Sequence, residues 1–289
     1  MTAEAVGGRA PDALATQRAG AAKRRRRRPG GAIWAWVLFV LGMVYFFVPL
    51  IATLEFSLRP EPPTRAYSIV LSDPLFYTRL GFSFAVGIVT IVVSLLIIVP
   101  TAYWVRLRVP HLRPAVEFIT LLPFVIPPVV LVFGFIRIYS RPPLLITTTP
   151  FGSTMLLVAA YTVLSFPYMY RAVDAGLAAM DVRVLTEAAQ SLGAGWFRIL
   201  RQVIFPNLKT AALSGAFLTL AIVVGEFTIG VFLAPWGFGP YLSLLGRDKI
   251  YEPAAVSLIS FGLTWMAMIL IAVVGRGGTR GRVQVAGAR

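Results

Sequence analysis

Apolar positions in this chain come in long unbroken runs, not at the short periods of a soluble domain. Six runs of about 20 or more mainly apolar residues occupy positions 32–54, 80–105, 115–139, 151–173, 208–235 and 254–275. Each is long enough to cross the hydrocarbon core of a bilayer as a helix. The pattern predicts an all-α membrane protein with six transmembrane helices. Prolines interrupt several runs (Pro49, Pro100, Pro123, Pro127, Pro128 and Pro167). A proline inside a helix removes a backbone hydrogen bond and kinks the axis, which a membrane helix tolerates where neighbours re-satisfy the backbone. Pro123 with Pro127-Pro128 therefore predicts a bent or broken third span, either bordering a path or simply irregular in packing. The small-residue pairs Ser83/Gly87 and Ala211/Gly215 permit close helix approach.

One polar-to-apolar pattern differs from all of these. Residues 174–207, between the fourth and fifth runs, are too long for a tight connection yet helical in composition. Asp181 predicts an N-cap. Val182, Leu185, Ala188, Ala189 and Leu192 then follow at helical spacing, and Gly193 predicts the left-handed turn that ends the helix. Trp196, Phe197, Leu200, Val203 and Ile204 form a second stripe with Arg198 and Arg201 off it, and Pro206 is expected to end it before the fifth span. Two short amphipathic helices outside the bilayer must bury their stripes. The bottom of the bundle, the lipid headgroups and a groove on a soluble partner all remain open.

Composition supports the membrane reading. Of 289 residues, 57% are apolar and 13% charged, and mean hydropathy is +0.78. This charge is too sparse to clothe a soluble surface, so a soluble enzyme, a disordered protein and a disulfide scaffold are excluded. The absence of cysteine removes thiolate metal sites, and no metal site is expected. The net charge of +15 lies in tails and short loops, so topology explains it better than nucleic acid, and no nucleic-acid partner is expected. With the N-terminus inside, cytoplasmic segments hold 20 of the 27 basic residues, which places both termini in the cytoplasm. Residues 1–31, Ala/Gly/Arg-rich, are expected to be a disordered basic tail. Its run Lys23 to Arg28 anchors topology and attracts anionic lipid. Residues 276–289 form a second cytoplasmic tail, and 32–275 the transmembrane domain.

The spacing in residues 181–206 resembles a known signature. Glu187-Ala188-Ala189, three residues, Gly193, nine residues and Val203-Ile204-Phe205-Pro206 resemble the EAA motif of ABC-importer permeases, E-A-A, three, G, nine, I-x-L-P. Val203 stands for Ile and Phe205 for Leu. The resemblance extends over most of residues 32–275. It is closest to the spermidine/putrescine-type branch, through Leu122-Pro123, Ile126-Pro127-Pro128-Val129-Val130 and Gly225-Glu226-Phe227-Thr228. The resemblance implies a coupling helix between helices 4 and 5, docked by Glu187, Ala188, Ala189 and Gly193, with Pro206 closing the motif, into a separate ATP-hydrolysing subunit. Two permease chains, identical or homologous, would bind two ATPase chains, and an extracytoplasmic solute-binding protein would deliver cargo. Ala188 and Ala189 would keep the helix slim against the partner, Gly193 would provide the turn, and Glu187 would pair with a partner's basic residue or cap its helix. The location implied is the bacterial plasma (inner) membrane, multi-pass.

No G-x-x-x-x-G-K-[ST] loop occurs, and Lys209-Thr210 follows Leu208 rather than glycine. This chain is therefore expected to be a transport subunit without cofactors of its own, with ATP and magnesium in the ATPase partner. An enzyme is disfavoured, because one histidine, no cysteine and one deep carboxylate assemble no base–nucleophile pair. A secondary transporter would show inverted repeats and several intramembrane charges. Glu226, expected inside the fifth span, is costly unless paired, neutral or facing water. It either lines the substrate path with Phe227 and favours a cation, or forms a structural pair with a partner such as Arg137. The branch resemblance implies a polyamine cargo; thiamine, ferric iron, phosphonate, sulfate and molybdate are carried by similar permeases. Phe124, Phe133, Phe135 and Tyr139 line a cavity or serve packing. The outer segments 54–79 and 236–253 are candidate contacts for the binding protein.

Overall fold

A computed structural model describes residues 29–276. The basic run at 23–28 and the tail beyond residue 276 lie outside the described residues. Within them the chain is helices and turns: α1 (Pro29–Ser57), α2 (Arg65–Ser72), α3 (Pro74–Arg108), α4 (Arg113–Val125), α5 (Pro128–Tyr139), α6 (Pro150–Ala178), α7 (Val182–Ser191), α8 (Trp196–Ile199), α9 (Phe205–Gly225), α10 (Thr228–Leu233), α11 (Phe238–Asp248) and α12 (Glu252–Arg276). Five stretches are long and apolar enough to span a membrane, and a sixth span requires α4 and α5 to be taken together. Helix α1 starts at Pro29, three residues inside the segment expected as tail.

Residues up to Thr53 form one compact unit and those from Leu54 another. The first is the body of α1, whose large apolar side chains from Trp34 to Val48 are exposed, as acyl chains require of a helix apolar all round. The second is built around α6, which packs against α9, α3 and α4. Its cytoplasmic core joins α3 (Ile98, Val99, Ala102, Tyr103), α6 (Met169, Tyr170, Val173, Leu177) and the segment that follows α6. A second core, further along the same helices, holds Val86, Val132, Leu157, Ala160, Val223 and Ile229.

The third span is broken. Helices α4 and α5 meet at 96°, because Ile126 and Pro127 both adopt extended backbone (ψ 114° and 139°). The ring of Pro128 enforces such a conformation on the residue before it. The outer segments 54–79 and 236–253 carry α2 and α11. Ala66 and Val70 of α2 pack with Phe76, Phe238, Tyr241, Ala255 and Val256 into a third core. Asp73 joins them: its Oδ1 accepts from the Leu75 N–H at the start of α3 (2.9 Å), and its Oδ2 accepts from the Tyr241 hydroxyl (2.7 Å). Burial, then the Asp73 bond, pushes the Tyr241 phenol above its ordinary value, so it remains a donor.

Glycine sets the α6–α9 distance. A Cβ on Gly176 would stand 2.5 Å from the Cβ of Ala211 and 2.7 Å from Cδ2 of Leu208, and one on Gly215 would stand 2.6 Å from Sδ of Met169. Overpacking a close helix crossing costs about 1–3 kcal/mol. Gly176→Val is therefore expected to lower the thermal unfolding midpoint in detergent, whereas Gly262→Val, with open space around the glycine, is not.

Candidate functional site

The site begins where α6 ends. Asp181 caps α7 as expected, its Oδ1 accepting from the Val184 N–H (3.1 Å). At the other end Gly193 has φ +76°, a region that only glycine enters cheaply. Its N–H donates to the Gln190 carbonyl (2.9 Å), and the Ala194 N–H reaches back to the Ala189 carbonyl (3.0 Å). This pair of bonds is the Schellman closure. Between the caps, α7 has two faces. Val182, Thr186 and Ala189 are buried, while Val184, Glu187, Ala188, Ser191 and Leu192 are exposed, Leu192 at 87%. Arg183 Nε donates to Glu187 Oε1 (2.9 Å) along the exposed side. Pairing with Glu187 raises the Arg183 pKa from its ordinary value.

This division corrects two expectations. Ala189 belongs to the cytoplasmic core, so its small size lets α7 approach its own bundle, and of the two motif alanines only Ala188 is presented outward. The second stripe also divides: Ile199 and Ile204 are buried, whereas Trp196 and Phe197 are more than half exposed. Ile199, left out of the expected stripe, stands three residues after Trp196 and four before Val203, so helical spacing alone could have included it. Pro206 does not end a helix. The helix runs unbroken from Trp196 to Gly225, through a π-helical turn over Leu200–Ile204. Proline has no N–H to give the preceding turn. The wide turn accommodates the ring, and Asn207 Nδ2 donates to the Val203 carbonyl (2.7 Å).

The buried face of α7 is tied to the spans. Tyr103 of α3 and Thr186 of α7 are hydrogen-bonded through their hydroxyls (3.0 Å). One turn on, Arg106 Nη1 donates to the Asp174 carbonyl oxygen (3.0 Å) and to its Oδ1 (3.1 Å), and Arg113 Nη2 donates to Oδ2 (2.8 Å). Arg113 Nε also donates to Glu117 Oε1 (2.9 Å). Asp174, 16% exposed, thus binds α3 and α4 to α6 through charge-assisted bonds on both its oxygens. A cleft of about 870 Å³ opens between the end of α3 and α7, bordered by Arg106, Arg108, Asp181, Arg183 and Glu187.

Glu226 lies elsewhere, at a break in the fifth span. Helix α9 stops at Gly225, Glu226 is extended, and α10 restarts at Thr228. Its carboxylate accepts from the Ile229 N–H (2.9 and 3.1 Å), the Gly230 N–H (3.3 Å) and the Tyr161 hydroxyl (3.2 Å). Of the two readings, a structural pair with Arg137 does not occur among the described residues; the carboxylate caps α10 instead. The space at Glu226 is about 10 Å³. Phe227 points elsewhere, into a cavity of about 520 Å³ shared with Ser243 of α11 and with Ser257, Ser260, Phe261 and Trp265 of α12. No ionisable side chain lines that cavity.

Residues 94–277 match the family of binding-protein-dependent transport system inner membrane components. The chain belongs to this family. It is a multi-pass inner membrane protein and a permease subunit of an ABC importer. The permease is 27% identical over 254 residues, spanning 84% of this chain and 92% of the relative, to PhnV of Salmonella paratyphi A, named as a 2-aminoethylphosphonate transport system permease protein. It is 26% identical over 253 residues to the molybdenum transport system permease protein ModB of Mycobacterium tuberculosis, covering 84% of this chain and 93% of that one. In fold it is similar to a chain of the MetNI methionine ABC transporter (TM-score 0.57, 20% identity, 72% of this chain and all of that one). A second similar structure is an amino acid ABC transporter (TM-score 0.52, 18% identity, 73% of this chain and 97% of that one). The polyamine branch expected for this permease gains no support from relatives named for phosphonate and molybdenum.

Proposed function

We propose that this permease is one of two membrane subunits of an ATP-driven importer for a small oxyanion, a phosphonate or molybdate. The α7 segment docks to the ATPase subunit that supplies the ATP and magnesium chemistry. The observation that carries the docking role is the outward face of α7. Val184, Ala188 and Leu192 form an exposed apolar stripe beside Glu187 on a helix capped at both ends and bolted to the spans. A helix with one face committed to its own bundle and an unpartnered apolar face opposite suits insertion into a groove. The second permease and an extracytoplasmic binding protein complete the assembly.

The cargo class rests on the relatives' names and on the cavity at Phe227, which offers hydroxyls and aromatic surface but no charge. Phe227 borders the path. Glu226, its carboxylate engaged in capping, does not meet a cation there. The test is uptake into proteoliposomes holding this permease, its ATPase and binding protein. ATP-dependent accumulation of molybdate or 2-aminoethylphosphonate, with putrescine excluded, is the expected result. Accumulation of putrescine alone overturns the oxyanion cargo, and failure of the ATPase to co-isolate overturns the docking.

A further inference from the structure

The buried face of α7 is joined to α3 by a hydroxyl pair, Thr186 with Tyr103. The Thr186 hydroxyl has one proton, and it is donated to the Val182 carbonyl within α7 (2.7 Å). With its proton on that carbonyl, Thr186 Oγ1 is free to accept from the Tyr103 hydroxyl (3.0 Å). Both residues are at most 2% exposed, so no solvent competes for the bond. Thr186 immediately precedes Glu187, so inward attachment and outward docking lie on adjacent residues. Along α3, Tyr103 is followed one turn later by Arg106, clamped to Asp174 of α6. Toward the membrane interior, Ser94 of α3 is bonded to Ser165 of α6 (2.7 Å).

We infer that Tyr103 is the positioning residue that transmits displacement of the coupling helix to α3, so that α3, α6 and α7 move as one body when the ATPase closes. The inference rests on the docking role of α7. A hydroxyl on an aromatic ring is suited to this. The ring is buried in the cytoplasmic core that also holds Ile199, Leu208 and Val173, while the directional bond prevents α7 from sliding along α3.

Removing the hydroxyl need not unfold the site, because Tyr103→Phe keeps the ring and leaves Thr186 donating to Val182. The chain has no cysteine, so Gln190→Cys on α7 and Ile97→Cys on α3 provide a clean spin-label pair in the full transporter with its ATPase. With Tyr103 intact, the label separation should be the same without nucleotide and with ATP trapped by vanadate. In Tyr103→Phe it should shift or broaden with ATP by about 1–2 Å, the scale of helix displacements in such transitions. Thr186→Ser, which keeps the acceptor, should behave as the parent. Coupling of ATP hydrolysis to uptake should fall about 2- to 10-fold in Tyr103→Phe, the weight of one buried neutral hydrogen bond. An unchanged separation in Tyr103→Phe, a separation in the parent that already changes with ATP, or loss in Thr186→Ser equal to that in Tyr103→Phe overturns the inference. A lower yield of Tyr103→Phe with the parent's separation in both states also overturns it, since that is packing alone. Failure of the ATPase to co-isolate with the parent is a different result: it removes the docking reading first.

Discussion

An arginine in place of Ala188 should sharply weaken association with the ATPase subunit while leaving the permease folded. Ala188 is exposed in the middle of the outward face of α7, between Val184 and Leu192. Substitution there meets nothing in this chain, so stability should stay within about 0.5 kcal/mol of the parent. In a close-packed groove the same side chain brings bulk and an unpaired charge into a desolvated centre, the kind of position where losses reach about 2 kcal/mol or more. That corresponds to at least about 30-fold weaker association. Co-isolation of the ATPase at fixed subunit concentrations measures it, with the unfolding midpoint of the isolated permease as control. Ala189→Arg should fail differently, since Ala189 is buried: the permease itself should lose stability. Equal association of Ala188→Arg and parent would refute docking through this face.

Glu226→Ala should have the largest effect on the permease itself. The carboxylate satisfies two backbone donors at the start of α10 and the Tyr161 hydroxyl, and hydrogen bonds to charged groups contribute about 1.5–3 kcal/mol each, not additively. A total loss of about 3 kcal/mol is expected, read as a lower thermal midpoint in detergent and loss of uptake in parallel. Glu226→Gln retains an acceptor oxygen and should lose less than half of this. A side chain serving as a cation site would behave otherwise. Gln would then be as damaging to transport as Ala, with the midpoint unmoved in both.

The coupling segment shows how far residues alone can be read. Asp181, Gly193 and the spacing between them were legible because caps are local: a side-chain oxygen two or three residues from its N–H, and a positive φ that favours glycine, need no tertiary context. The assignment of Ala188 and Ala189 to one partner was not legible. Neighbouring residues on a helix point about 100° apart, and two alanines carry no signal of which faces the bundle. Pro206 was misread for a related reason. Its ring forbids a regular α-turn, but a π-turn costs little when Ile199, Ile204 and Leu208 are all held in one core. Glu226 was legible as exceptional, and its partner was not. A carboxylate surrounded by apolar residues must be satisfied. The sequence suggested Arg137, yet a helix break at Gly225 exposed nearer donors in the backbone of α10.

The run lengths and basic flanks by themselves determined a polytopic helical protein with residues 174–207 on the cytoplasmic side, because bilayer thickness and charge placement act on each segment independently of its neighbours. The Pro127-Pro128 pair likewise determined the break in the third span, since backbone sterics are local. Only the tertiary structure decided which side of α7 is free, that Tyr103 reaches Thr186, that Asp174 gathers two arginines, and that Glu226 caps a helix. Each joins groups from different helices or depends on how a helix ends. Such pairings follow from the packing of α3, α6 and α9, which glycines at 87, 176 and 215 bring close, and not from any one segment's own pattern.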